Sequence, residues 1–128
     1  MGTRSRIGYQ LADESILSVY CHFDGYPEFN GKHLVERHNN RQAARQLIDG
    51  GDMSCVFDCD DNPNPVHYTS RGERMVDVEP RLDMNDDSFL SKATGEEYHY
   101  VFTLDNQWVC YHMHQFTDDR PEVIAIPA

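Results

Sequence analysis

Met1-Gly2-Thr3-Arg4-Ser5-Arg6-Ile7-Gly8 and Val19-Tyr20-Cys21-His22-Phe23-Asp24-Gly25-Tyr26-Pro27-Glu28 are the two stretches on which the fold turns. Thr3 to Leu11 alternates, with Ile7, Tyr9 and Leu11 on one side and Arg4, Arg6 and Gly8 on the other. Ile16 to Phe23 alternates again, with Leu17, Val19, Cys21 and Phe23 opposed to Ser18, Tyr20 and His22. The intervening Ala12-Asp13-Glu14-Ser15 has turn composition, so the two runs pair as a hairpin. One face of that hairpin then carries Arg4, Arg6, Tyr20 and His22. Guanidinium, imidazole and phenol side by side suit a small anionic ligand with a flat ring.

Working outward, Asp24-Gly25-Tyr26 breaks the second strand, and Pro27 stands where a helix takes its first turn. That helix runs to about Arg37, with Asp24 as its expected cap. Asn39-Asn40 ends it and caps a second helix over Arg41 to Asp49, where Ala44, Leu47 and Ile48 share a face. Gly50-Gly51 stops that helix. Residues 58 to 65 form an acidic, proline-punctuated loop. Short strands are expected at Val66 to Thr69 and Met75 to Val78, and a short helix near Asp87 to Lys92. A late hairpin spans Glu97 to Leu104 and Gln107 to His114, with its turn at Asp105-Asn106, and Val123, Ile124 and Ile126 mark an edge strand. The whole reads as one α+β domain over 1–128, a small antiparallel sheet with two consecutive helices packed on one face.

Composition sets the outer bounds. The 128 residues can bury one modest core, helped by seven Tyr, six Phe and one Trp. Twenty-two acids against eleven Lys and Arg give a net charge of −11. Long nucleic acid and anionic membrane are poor partners for such a field. A small anion is not excluded, because a few local arginines outweigh distant charge within a Debye length of roughly 8 Å. The polar start carries no signal-peptide pattern and no apolar run of membrane-spanning length occurs. The four cysteines are therefore expected reduced, in a cytoplasmic setting.

Met-Gly-Thr-Arg-Ser-x-Ile-Gly at 1–8, Tyr-Cys-His-x-Asp-Gly-Tyr-Pro-Glu at 20–28 and Asn-Gly-x-x-Leu at 30–34 resemble a family of small proteins of tailed phages. The similarity extends loosely through Gly51-Asp52-Met53-Ser54 and returns at Tyr68-Thr69-Ser70-Arg71-Gly72-Glu73. Phe23, where that pattern has Trp, and the acidic loop 58 to 65 depart from it. The resemblance implies an anti-CBASS sponge, a homo-oligomer that holds a cyclic dinucleotide or trinucleotide at subunit interfaces in the host cytoplasm without cleaving it.

Under that implication the ligand-binding candidates are Thr3, Arg4, Ser5, Tyr20, His22, Asp24, Tyr26, Tyr68, Arg71 and Glu73. Arg4 offers a fork of donors matched to phosphate. From its spacing alone it reads first as a strand-edge arginine paired with an acid, and the resemblance is what puts the phosphate reading ahead. Tyr20 and His22 share a strand face and form a stacking platform, or else are structural. Arg71-Gly72-Glu73 is a second clamp or a solvated turn. Arg37, Arg41 and Arg45 read as exposed charge.

No metal, cofactor or catalytic group is expected. Cys55-x3-Cys59 lacks the tight pairing of zinc sites, and Pro63 and Thr69 break the calcium-loop pattern at Asp58. Cys21 and His22 are adjacent in a strand and point apart, so they form no nucleophile–base pair. Two other readings use the same residues differently. One is a phosphodiesterase with His22, Asp24, His112 and His114 as acid–base or metal groups. The other is an acidic decoy for a host protein.

Overall fold

The computed structural model describes residues 2–127, so Met1 of the first motif lies outside it. The strands are β1 (Ser5–Gln10), β2 (Ile16–Cys21), β3 (Met53–Cys55), β4 (Val66–His67), β5 (Arg81–Asp83), β6 (Tyr98–Phe102), β7 (Trp108–His112) and β8 (Glu122–Ile124). They form one sheet in the order β4-β3-β2-β1-β6-β7-β8, with β5 also paired to β2. The α+β class holds, but the sheet is mixed and has eight strands. β1 pairs parallel with β6, and β2 parallel with β3, because the chain returns to each strand through a long connection and not a hairpin. The hairpin β1–β2 pairs Arg6 with Tyr20 and Ile7 with Val19, as the alternation requires.

A wide π turn at Pro27–Gly31 runs into helix α1 (Lys32–Arg37), and α2 spans Arg41–Asp49. The Asn40 side chain accepts from Ala43 N and caps α2. Leu34, Ala44, Leu47 and Ile48 lie on Ile7, Val19, Cys21 and Tyr100, so both helices cover one face of the sheet. Arg41 is not free surface charge. Its guanidinium donates to the carbonyls of Gln10 (2.7 Å) and Thr103 (3.1 Å) and lies 4.5 Å from the centre of the Tyr9 ring. It ties α2 to the ends of β1 and β6.

The opposite face is covered by the short helix α4 (Asp86–Phe89), whose Phe89 is fully buried against Ile16 and Val101. Gly8 permits this. A Cβ there would stand 2.8 Å from Ile16 and 3.1 Å from the Phe89 ring. Met75–Val78 is a helix (α3) and not the expected strand. It begins after a 3-10 turn at Tyr68–Arg71 that ends on left-handed Gly72, and this turn also shortens β4 to two residues. No helix among the described residues is long and apolar enough to cross a membrane.

Gly25 fixes the first strand's entry. A Cβ at that position would sit 2.7 Å from the Thr3 carbonyl and 2.8 Å from Ser5 Cβ. Gly25 N donates to Thr3 O at 2.7 Å, while Tyr100 Oη donates to Gly25 O at 2.6 Å. Gly25→Ala is expected to cost about 1–3 kcal/mol through overpacking and to move the backbone at Arg4. Thermal melts and amide shifts of residues 3–6 check this, and an unshifted spectrum refutes it.

Candidate functional site

On the face away from α1 and α2, one row across the sheet reads Tyr20, Arg6, His99 and Tyr111 on β2, β1, β6 and β7. Arg6 is buried, although a guanidinium is costly to remove from water. Its Nη1 donates to Ser18 Oγ at 3.0 Å and its Nε lies 3.8 Å from Glu96 Oε2. Nε therefore has no hydrogen-bond partner, and Arg81 Nη2 lacks one as well. Glu96, also buried, accepts from Thr94 Oγ1 and from His99 Nε2 at 3.3 Å. Burial pushes the Glu96 carboxyl up, but the His99 and Thr94 hydrogen bonds and the Arg6 charge outweigh it and hold it at about 2. Burial lowers His99, which stays neutral and donates through Nε2.

This charged core supports a half-buried rim with exposed arginines at its ends. Tyr20 Oη lies 2.6 Å from His22 Nδ1, so the pair shares a face as the two-residue spacing requires. The Tyr20 amide donates to Asp52 Oδ1 at 2.8 Å. Partial burial raises the Tyr20 phenol and neighbouring Arg4 opposes that rise. Tyr68 N donates to the Asp52 carbonyl at 3.0 Å, so Tyr68 and Tyr20 are tied to the same residue; burial and then Tyr20 raise its phenol, and Arg71 lies 5.0 Å above its ring. His22 meets Phe23 edge to face at 4.5 Å. Arg4, Tyr20, His22, Tyr68 and Arg71 thus form one strip of rings with guanidinium groups among them. Glu73 follows it in the exposed turn, its amide donating to Tyr68 O at 3.3 Å. Thr3 contributes its carbonyl to Gly25.

Compared with family models, with curated proteins and with solved structures, the chain gives no match. The resemblance to small phage proteins rests on its motifs alone.

Three expected site residues sit elsewhere. Ser5 is fully buried on the helix face, where its Oγ accepts from Asn30 Nδ2 at 3.3 Å. Its parity in β1 is that of Ile7, so it is a core residue. Asp24 does not cap the helix with its side chain. It adopts a left-handed φ of 59° and uses its carbonyl to accept from Asn30 N. Tyr26 Oη donates to Asp24 Oδ1 at 3.4 Å and its ring packs on Phe29. Of the groups suggested for phosphodiester cleavage, His112 and His114 lie together but apart from His22 and Asp24. His112 follows the parity of Tyr98 and Ser5, so it faces the helix side, three strand positions from β2. Burial also pushes the Cys21 thiol up to about 12, which leaves it a poor nucleophile.

Residues that the motifs missed complete the site: Glu96, His99 and Arg81. Glu96 and Arg81 come from polar segments without hydrophobic periodicity, and only the tertiary fold brings them beneath β1.

Proposed function

We propose that this chain binds and sequesters a small cyclic nucleotide, a dinucleotide or trinucleotide, without cleaving it. Support comes from one arrangement above all, the strip in which Arg4 and Arg71 flank Tyr20, His22 and Tyr68. The rings offer stacking faces for bases, and the guanidinium groups at either end offer donors for phosphates. Stacking supplies roughly 1–3 kcal/mol per base and a charged hydrogen bond about 1.5–3 kcal/mol. Two bases and two phosphates then supply roughly 5–12 kcal/mol, and the roughly −12 kcal/mol of nanomolar affinity is reached only at the upper end of that range, with water excluded. The strip is open to solvent, so a second copy of the chain supplies the enclosure. The setting is the cytoplasm of an infected host, and a partner surface for long nucleic acid is not part of the reading.

Titration calorimetry against a panel of cyclic dinucleotides and trinucleotides tests this. One member is expected to bind, and heat denaturation is expected to release it intact. Arg4→Ala and Tyr20→Ala are each expected to weaken binding by about 10-fold or more, while leaving the melting curve close to that of the parent. Flat titrations across the panel, or recovery of a linear product, end the proposal.

A further inference from the structure

A second cluster lies on the other face and at the other side of the sheet. His112 closes β7 and stands opposite Glu122 of β8 in the ladder, while His114 follows two residues later. His112 Nδ1 and His114 Nδ1 are 3.1 Å apart, with the two rings crossing at 88°. His114 Nε2 lies 2.9 Å from Glu122 Oε1. One ligand atom from each of the three falls within 4.8 Å of the others. We propose that His112 and His114 hold a divalent transition-metal ion between their Nδ1 atoms, with Glu122 fixing the orientation of His114.

The distances carry the argument. With metal–nitrogen bonds of about 2.0–2.1 Å, neighbouring ligand nitrogens stand about 2.9 Å apart at a right angle and about 3.4 Å at the tetrahedral angle. The observed 3.1 Å separation lies between these values. In the metal-free chain a single proton joins the two Nδ1 atoms, and the His114 Nε2–H donates to Glu122. When a cation binds, the His112 proton moves from Nδ1 to Nε2 by exchange with water, so both Nδ1 lone pairs face the ion while the Glu122 contact stays in place, which is the usual carboxylate–histidine–metal arrangement. Little movement is needed.

The backbone supports the same position. His114 holds a left-handed φ of 51°, a conformation sparsely used by residues with side chains. Lys92 Nζ fixes the loop by donating to the carbonyls of His114 (2.8 Å), Thr117 (3.0 Å) and Asp119 (2.7 Å), so its charge is taken up by backbone oxygens. A cavity of about 250 Å³ opens beside the two imidazoles, with Glu97, Tyr98 and Gln115 in its wall. It leaves room for water on the remaining coordination positions. Imidazole donors favour zinc, cobalt, nickel and copper over magnesium or calcium.

Zn(II) and Co(II) are the probes. One equivalent of Zn(II) is expected to bind the full chain in calorimetry and to shift the histidine-ring NMR signals of His112 and His114 selectively. Co(II) is expected to give d–d bands without a thiolate charge-transfer band, which separates this site from Cys55 and Cys59. His112→Ala and His114→Asn are expected to weaken binding by more than about 100-fold, and Glu122→Gln by about 10-fold, the scale of an outer-sphere partner. Asparagine suits the left-handed position, so His114→Asn retains the fold if His112→Ala does not. Absence of saturable binding, a thiolate band, or unchanged affinity in His114→Asn overturns the assignment.

Discussion

Replacing Glu96 with alanine is expected to lower the unfolding free energy by about 3–5 kcal/mol, the usual result of removing one partner from a buried charge pair. Arg6 would remain buried with Ser18 as its hydrogen-bond acceptor and no counter-charge nearer than Asp52 or Asp83. Glu96→Gln keeps the shape and removes the charge, and is expected to lose less. Urea denaturation measures both. A loss below about 1 kcal/mol for Glu96→Ala would show that the pair does not seal this face. Acid gives an independent reading. The folded value of Glu96, about 2, lies below its ordinary 4.5. Its contribution is therefore complete above pH 4.5 and is lost as pH falls from there towards 2, about 3 kcal/mol in all. His99 acts in the same direction, because the unfolded chain takes its proton first and stability begins to fall below pH 6.5. In Glu96→Gln the step below pH 4.5 is expected to flatten.

Phe89→Ala carries the other large expected loss, again about 3–5 kcal/mol. Phe89 is the one fully buried side chain of α4, wedged over Gly8 and Ile16 with its ring 4.9 Å from that of His99. Four helical residues with an Asn85 cap do not hold themselves in place, so this ring anchors the whole segment. Besides the lower melting temperature, amide exchange in residues 84–96 is expected to rise, since that segment loses its apolar contact. Phe89→Leu should retain most of the stability. Unchanged exchange in Phe89→Ala would show that Lys92 and its carbonyl contacts suffice to hold the segment.

Much of this architecture was legible in the chain. Strict alternation over 3–11 and 16–23 gave the β1–β2 hairpin, its faces and the grouping of Arg4, Arg6, Tyr20 and His22, since side-chain direction in a strand follows parity. The same parity should have removed Ser5, which shares the side of Ile7. The cap at Asn40 and the stop at Gly50-Gly51 placed α2. The missed elements are those with little periodic signal. β3 and β5 have three residues each, and Met75–Val78 has too few to separate a helical turn from a strand. The parallel joins could not be read at all, because no local pattern records which distant strand lies beside β1. For the same reason Glu96 and Glu122 were invisible as partners of Arg6 and His114.

The join between residues 5–9 and residues 98–102 has a consequence for biosynthesis. β1 is made before β6, and every element between them leaves the ribosome before the two can meet. Until then the nascent hairpin presents an open edge that includes Ile7 and Tyr9, and the closing step must wait for a contact of very long sequence separation. Such contacts slow folding and prolong the interval in which the growing polypeptide is prone to aggregate.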